Sequence, residues 1–182
     1  MAQVELPISR IIIETPNKDV LVVRRKSGRF AGKWELPGGR VNAQEDPLAG
    51  LVREVKEEVG IDLNHGKIDF LFTTGVIDSR KHVPLIGDPP IISQQVYSTK
   101  VADPIEIILG NEHNRYKMLS ASLFDENNSP DKFTDLTRSS LSWYFYGLEK
   151  YKSTKNVFQE PWAVANFDDY WRMVIRELSR SR

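Results

Sequence analysis

The sequence predicts an α+β fold in which helices pack on a mixed β-sheet, and three observations support this class. Apolar, β-branched runs lie both before and after residues 46–60, which predicts strands on either side of a helix. Residues 46–60 themselves begin and end with helix signals. Apolar residues at helical spacing within 131–178 predict an extended C-terminal helical tail. The length predicts a single domain, 1–182, with the sheet and first helix over about 1–125 and C-terminal helices over about 130–182.

The predicted strands alternate with turn and loop signals. Pro7 suggests that the first strand lies at a sheet edge or bends, and residues 15–19 form a turn that makes the first two strands a hairpin or an adjacent pair. The glycines of Pro37-Gly38-Gly39 predict a sharp loop that can approach a ligand closely. Residues 78–90 form an unusually long loop. The strands are predicted over 4–14, 20–26, 34–36, 67–77, 91–101 and 116–123.

The helix at the centre of this arrangement has clear boundaries. Asp46 can cap the free amides at its start, and Pro47 suits the first helical position because it has no N–H. Gly60 marks the end, where positive φ is common. One face carries the apolar residues Leu48, Leu51, Val52, Val55 and Val59.

The opposite face of this helix is acidic. Glu54 lies three residues before Glu57 and four before Glu58, so the three carboxylates share one face and repel one another. The last turn is also unfavourable for anions. A solvated acidic face is the simpler interpretation, but clustered carboxylates are also the ligands that Mg²⁺ or Mn²⁺ requires. Arg53, four residues before Glu57, can hold that residue by an ion pair.

The flanking residues decide between these interpretations. Gly39, Glu45 and the run Arg53-Glu54-Val55-Lys56-Glu57-Glu58-Val59-Gly60-Ile61 stand at the spacing of the Nudix box, so residues 39–61 resemble that motif at every fixed position. The stretches VLVVRR (20–25) and WELPGG (34–39) resemble the strands and loop that lead into it. Nothing specific is recognised after about Phe124.

The resemblance implies a Nudix fold, with the mixed sheet sandwiched between helices (α/β/α). It also implies Mg²⁺-dependent hydrolysis of a pyrophosphate bond in a nucleoside diphosphate linked to another group, with Mn²⁺ as an alternative ion. Glu54, Glu57 and Glu58 are then metal ligands and catalytic residues. Either Glu54 or Glu58 would also align or deprotonate water, since family members recruit the base from different places. Arg53 would act by orienting Glu57.

The resemblance adds further site residues. The carbonyl of the residue that matches Gly39 often joins the metal site, and many relatives recruit another carboxylate from a loop beyond the box, here matched by Glu112. A plain loop acid is the alternative for Glu112. Gly38 and Gly39 are expected next to the substrate, with Glu45 tying the loop to the helix or contacting a metal through water. Arg25 is favoured as a phosphate ligand. Its alternative is a solvated surface base, and the same two interpretations apply to Arg24, Lys33 and Arg40.

Composition excludes several classes of function. Lys plus Arg and Asp plus Glu both number 25, so a net charge of zero indicates neither nucleic acid nor a membrane surface as a partner. The absence of cysteine excludes disulfides, thiolate metal sites and a cysteine nucleophile, and it fits a cytoplasmic location. No signal-peptide pattern and no apolar run of about 20 residues is present. His65, His82 and His113 are interpreted as ordinary surface or turn residues.

The substrate is less constrained than the reaction. No proline lies near Ile77, where ADP-ribose enzymes usually carry one. This absence and similar ones favour a nucleoside triphosphate or a dinucleotide polyphosphate, with a nucleotide sugar left open. An isomerase of the isopentenyl diphosphate type is disfavoured by the lack of cysteine. A non-catalytic nucleotide-binding module is disfavoured because the box glutamates are all present. A homodimer is left open, and the aromatic run 143–146 is interpreted as core packing rather than a base-stacking or subunit surface.

Overall fold

The computed structural model describes residues 5–28, 30–77, 91–102, 105–124 and 132–153. The predicted loop at 78–90 and the second C-terminal helix, predicted within 167–178, lie outside the described residues. The strands are β1 (Glu5–Glu14), β2 (Val20–Arg25), β3 (Trp34–Glu35), β4 (Gly38–Arg40), β5 (Asp69–Ile77), β6 (Ile91–Lys100) and β7 (His113–Leu119). The helices are α1 (Pro47–Val59) and α2 (Asp135–Ser153), and Leu63–His65 forms a short 3₁₀ turn.

All seven strands belong to one mixed sheet. The main order is β3-β2-β1-β6-β5, with β4 also paired to β1 and β7 also paired to β2. Strands β1 and β6 are parallel, from Glu5 opposite Ile91 to Glu14 opposite Lys100. The other pairs are antiparallel. The predicted mixed sheet is therefore confirmed.

The sheet separates two hydrophobic cores, each covered by one helix. The core beneath α1 contains Ile11, Ile13, Leu21, Val23, Leu51, Val55 and Val59. Most of the predicted apolar stripe therefore faces the sheet, with Val52 partly buried, whereas Leu48 is exposed. The core beneath α2 contains Ile12, Val22, Phe72, Val96, Phe124, Phe133 and Leu141. Residues 143–146 pack against this second core as partly buried side chains. This arrangement confirms the α/β/α sandwich, and it places the aromatic run in the core, as predicted.

The boundaries of α1 agree with the sequence signals. The Asp46 side chain accepts hydrogen bonds from the amides of Leu48 and Ala49 at 2.9 and 3.0 Å, which satisfies two donors that the helix leaves free. Gly60 ends the helix with a φ of 75°, a conformation that strongly favours glycine. Because both ends are fixed, the acidic face is held at a defined position over the sheet.

Three predicted details of the strands were wrong. Of the two interpretations of Pro7, a sheet edge is contradicted because β1 is an interior strand, where the Pro7 carbonyl accepts from the Val41 amide at 3.1 Å. The predicted 37–39 loop includes a strand, since β4 pairs with β1. The last strand begins at His113 rather than at residue 116, because His113 pairs with Arg25 beyond a register shift in β2.

The segment that follows β6 is tied to the C-terminal end of α1. The amide of Ile108 donates to the Val59 carbonyl at 3.0 Å, and that of Gly110 donates to the Glu58 carbonyl at 2.9 Å. Carbonyls at a helix end have no partner within the helix, so this segment satisfies two of them. Glu112 follows two residues after Gly110 in this segment.

Gly110→Ala is expected to lower the free energy of unfolding by about 1–3 kcal/mol, the usual cost of overpacking. A Cβ at this position would overlap the Glu57 carbonyl oxygen and lie 3.4 Å from the Glu58 Cα, so backbone must move. Urea unfolding measures the change. Gly66→Ala is the matched control, because its Cβ would lie 3.4 Å from the Thr99 Oγ, an ordinary contact. Equal midpoints for the two variants would contradict the prediction.

Candidate metal centre

Two glutamates of α1 converge on the glycines of β4. The Gly38 amide donates to Glu58 Oε2 at 2.8 Å. Gly39 lies so close to the Glu54 carboxylate that a Cβ at position 39 would overlap it. Gly38 has a φ of 118°, and a Cβ there would overlap the Ser9 carbonyl oxygen. Gly38 is therefore required by its backbone conformation and by the close approach of β1, and Gly39 leaves room for the Glu54 carboxylate. Both glycines lie next to the acidic residues, as predicted; their contact with substrate stays a prediction.

Arg53 connects the acidic residues on this face of α1. It donates to Glu45 at 2.9 and 3.0 Å, to Glu54 Oε1 at 2.7 Å and to the Arg40 carbonyl at 3.2 Å. Its Nη1 lies 3.6 Å from Glu57 Oε2. The ion pair expected with Glu57 is thus present, but Arg53 holds Glu45 and Glu54 more closely.

Glu45 ties the loop before α1 to the helix. Its carboxylate accepts from the Asn42 amide at 2.8 Å as well as from Arg53. The hydrogen bond from Arg53, followed by that from Asn42, lowers the pKa of Glu45 to about 2. A Cβ at Gly50 would lie 3.1 Å from Glu45 Oε2, so a glycine at that helix position leaves room for the carboxylate. Of the two roles predicted for Glu45, these contacts favour the structural tie.

The predicted ligands differ in exposure. The side chain of Glu58 is 6% exposed and that of Glu54 is 20% exposed, whereas Glu57 and Glu112 are 62% and 66% exposed. Glu112 precedes β7 and accepts from Arg25 Nη2 at 2.8 Å. Arg25, predicted as a phosphate ligand, therefore has its guanidinium directed at carboxylates.

Sequence reasoning missed a buried ionic cluster made of Arg10, Glu35 and His113. Glu35 accepts from Arg10 Nη2 at 3.1 Å and from Arg25 Nη1 at 3.0 Å, and its Oε1 lies 3.0 Å from His113 Nε2. His113 Nε2 is 3.8 Å from Glu58 Oε1, so the cluster adjoins the acidic helix. The sequence contains a signal for each of the three residues. Arg10 is a charge within the apolar run of β1, Glu35 is the acid in WELPGG, and His113 stands beside Glu112.

The interpretation of His113 as a surface or turn residue was wrong. Its side chain is fully buried, because β7 begins at this residue and directs it towards Glu35 and Glu58. Its Nδ1 atom is buried and has no hydrogen-bond partner among the described residues.

The pKa values of the two inner glutamates are shifted in opposite directions, because only Glu35 has enough charged partners to outweigh its burial. Desolvation raises the pKa of Glu58 to about 7, although Arg10, His113 and the Gly38 amide act in the other direction. Desolvation also opposes ionisation of Glu35, but Arg10, the hydrogen bond from His113 and Arg25 outweigh it and lower the pKa of Glu35 to about 2. The charge of Glu35 is therefore compensated by arginines, whereas the groups near Glu58 do not offset the cost of burying its ionised carboxylate.

The buried carboxylate of Glu58 and its acidic neighbours on α1 fit a divalent cation. Within the described part of the chain, Glu35, Glu58 and His113 each offer a ligand atom, and these atoms lie within 4.8 Å of one another. Since Glu35 is already paired with two arginines, the ligand with unsatisfied charge is Glu58, which adjoins Glu54 through the two glycines of β4. Carboxylate and carbonyl oxygens are the ligands that Mg²⁺ and Mn²⁺ prefer.

The metal-free protein is expected to lose stability as pH rises from about 5 to 8. The folded pKa of Glu58, about 7, lies above the ordinary glutamate pKa of 4.5, so the fold favours the protonated acid. The stabilisation is complete below 4.5 and disappears as pH rises through 7, a loss on the order of 2–3 kcal/mol. The pKa values of Glu35 and Glu45 are lowered, so the stability that these carboxylates contribute is lost only as pH falls from 4.5 to about 2.

Urea unfolding in EDTA across this range measures the effect. Glu58→Gln removes the titrating group and should flatten the dependence, so any slope shared by both proteins comes from other groups. Parallel slopes in the two proteins would contradict the assignment to Glu58.

Comparison with known proteins identifies the family. A model of the NUDIX domain matches residues 6–135. The chain belongs to the Nudix family. Its curated Nudix relatives include the 8-oxo-dGTP diphosphatase of Escherichia coli, 39% identical over 62 residues (34% of this chain and 48% of that protein). The ADP-ribose pyrophosphatase of Methanocaldococcus jannaschii is 38% identical over 72 residues (40% and 42%).

These matches cover only part of each Nudix relative. The chain spans 15–19% of the length of three Arabidopsis thaliana Nudix hydrolases that are 43–54% identical over 53 or 54 residues. Among solved structures, the MutT protein of Methanosarcina mazei has a TM-score of 0.60 at 20% identity, covering 85% of this chain and 97% of that one. This likeness shows the Nudix fold. Among the described residues, no helix combines the length and apolar composition needed to cross a bilayer.

Proposed function

We propose that this Nudix protein is a metal-dependent pyrophosphohydrolase that cleaves a nucleoside diphosphate-linked compound. The observation that carries the proposal is the convergence of Glu54 and Glu58 on Gly38 and Gly39, with Glu58 almost fully buried. A buried carboxylate whose neighbouring charges do not offset its desolvation is costly in a fold built only for stability. A bound cation reverses that cost, which is why the arrangement supports a metal centre.

The proposed roles are those that the match to the Nudix box implies. Glu54, Glu57 and Glu58, together with the Gly39 carbonyl and Glu112, hold Mg²⁺ or Mn²⁺. The bound ion would neutralise charge on the phosphate oxygens and favour ionisation of water. Glu54 or Glu58 aligns or deprotonates the attacking water, and Arg53 keeps Glu54 and Glu57 in place. The backbone of β4 would border the substrate. Its glycines allow Ser9 of β1 and the Glu54 side chain to lie close to that backbone.

The proposed substrate is a nucleoside triphosphate or a dinucleotide polyphosphate. Similarity to an 8-oxo-dGTP diphosphatase supports a triphosphate, and similarity to an ADP-ribose pyrophosphatase supports a nucleotide sugar as the second candidate. Both similarities cover less than half of this chain, so they support the reaction more strongly than the substrate. A cytoplasmic location, a homodimer and the absence of nucleic-acid partners stay predictions.

A substrate panel tests the proposal. Phosphate and pyrophosphate release would be measured in Mg²⁺ with dNTPs, oxidised dGTP, diadenosine polyphosphates, ADP-ribose, nucleotide sugars and NADH, with mass spectrometry of the products. If the wild-type protein cleaves one compound rapidly and Glu58→Gln does not cleave it, both the proposed reaction and that substrate are supported. Stabilisation by a nucleotide with no turnover of any compound would overturn hydrolysis and favour a non-catalytic binding module.

A further inference from the structure

One buried carboxylate, that of Glu35, connects three separate parts of the proposed metal centre. Glu35 is 2% exposed and ends the two-residue strand β3. Its oxygens contact Arg10, Arg25 and His113 at 3.0–3.1 Å. These three residues come from three different strands, so a single charge links elements that are distant in the sequence.

The first connection runs through Arg10 to the glycine strand. Arg10 is 8% exposed, and its Nη1 donates to the carbonyl of Leu36 at 2.7 Å and to that of Gly38. These carbonyls stand on either side of Pro37, so Arg10 holds the turn from β3 into β4. A buried guanidinium needs an anionic partner, and Glu35 provides it.

The second connection runs through Arg25 to the proposed outer ligand. Arg25 donates a hydrogen bond from Nη1 to Glu35 and another from Nη2 to Glu112, so it bridges a buried and an exposed carboxylate. The Glu112 carbonyl also accepts from the Lys26 amide at 2.8 Å. A long exposed side chain loses rotamer freedom when it is held in one geometry, and the arginine bridge provides that restraint before a metal binds.

The third connection runs through His113 to the innermost ligand. His113 Nε2 lies 3.0 Å from Glu35 and 3.8 Å from Glu58. One ring nitrogen thus lies close to both carboxylates, so the position that Glu35 gives the ring bears on the position of the Glu58 side chain. Residues behind the ligands commonly set ligand orientation, and their loss typically reduces metal affinity or activity about 10- to 100-fold.

We propose that Glu35 is a positioning residue of the metal centre. It holds the β3–β4 turn through Arg10, Glu112 through Arg25, and Glu58 through His113. The inference rests on the proposed function in one respect, since it takes Glu58 and Glu112 as metal ligands. Glu35 itself is not a ligand in this arrangement, because its oxygens are already used by two guanidinium groups.

Glu35→Gln tests the inference. The amide is nearly the same size but can accept hydrogen bonds through one atom only, so both arginines cannot be satisfied. Mn²⁺ binding, followed by electron paramagnetic resonance of the free ion, should weaken by about tenfold or more. With an active substrate, kcat should fall and rise again with added Mg²⁺, while the KM for nucleotide changes little. Unchanged Mn²⁺ affinity would overturn the inference.

A control variant separates positioning from general stability. Ser140 accepts from Gln94 at 3.1 Å in a buried pair between β6 and α2. Ser140→Ala should lower the unfolding midpoint and leave Mn²⁺ affinity unchanged. If it weakens Mn²⁺ binding as much as Glu35→Gln does, the effect at Glu35 reflects stability alone and the inference fails.

A second variant keeps the test decisive if Glu35→Gln does not fold. Arg25→Gln leaves the buried pair of Arg10 and Glu35 intact and removes the bridge from Glu35 to Glu112, at a side chain that is 27% exposed. It should weaken Mn²⁺ binding by less than Glu35→Gln, and wild-type affinity would overturn the proposed link. Wild-type protein that binds Mn²⁺ but cleaves nothing would remove the proposed hydrolysis while the Mn²⁺ titrations still decide the role of Glu35. Wild-type protein that binds no Mn²⁺ would overturn both.

Discussion

Glu58→Gln is expected to lower turnover by at least about 100-fold while stabilising the metal-free protein at pH 8. Loss of one charge-stabilising group in an active site costs on the order of 100- to 1,000-fold. The glutamine keeps the size of the side chain and an oxygen for the Gly38 amide, so the contact between α1 and β4 is retained. Removing an ionised buried carboxylate should raise the free energy of unfolding on the order of 2–3 kcal/mol.

The two effects have opposite signs, which makes the prediction specific. Turnover would be measured at saturating Mg²⁺, and unfolding by urea in EDTA and again in Mg²⁺. The stability advantage of the variant should shrink in Mg²⁺, because the cation stabilises only the protein that retains the ligand. A variant that loses stability in EDTA at pH 8 would show that Glu58 is part of a compensated structural network. Wild-type turnover would remove Glu58 from the catalytic residues.

Local signals in the sequence predict α1 almost completely. Asp46, Pro47 and Gly60 act through their own backbone conformation and the nearest amides, so their effect does not depend on the rest of the fold. The apolar stripe and the acidic face follow from helical spacing alone. The fold class could be predicted for the same reason, since the remaining strands carry apolar β-branched residues between turn signals.

The ionic cluster could not be predicted, because its pairs are distant in the sequence. Arg10 and Glu35 are 25 residues apart, Glu35 and His113 are 78 apart, and Arg25 and Glu112 are 87 apart. Only the register of β2 against β7 brings His113 inside. Polar residues before 116 suggested a loop, yet the burial of His113 is decided by charged partners on other strands rather than by its own hydropathy.

The structure also changes the interpretation of Arg25. A basic residue near a phosphate-cleaving loop is a reasonable phosphate ligand, and sequence alone does not reveal that two carboxylates contact it. With Glu35 on one side and Glu112 on the other, its charge is largely compensated. This arrangement makes Arg25 a better support for a metal ligand than a ligand of phosphate.

Gly39→Ala is expected to lower turnover by about 10- to 100-fold while changing the free energy of unfolding by less than about 1 kcal/mol. Gly39 does not have positive φ, so alanine suits its backbone. The new Cβ would overlap the end of the Glu54 side chain, which can turn away without moving the helix. A displacement of about 1 Å in a catalytic group can cost about 100-fold. The Arg53–Glu54 pair that is lost is partly exposed and contributes little to stability.

The double variant decides whether the effect acts through Glu54. If Gly39→Ala works by displacing that carboxylate, Glu54→Gln with Gly39→Ala should lose no more turnover than the more damaging single change. Losses that multiply would mean that the methyl group acts elsewhere, for example on the Gly39 carbonyl. Gly66→Ala makes the same chemical change beside Thr99 and should alter neither turnover nor Mg²⁺ dependence. Near-wild-type turnover in Gly39→Ala would show that the position of Glu54 against β4 is not needed for the reaction.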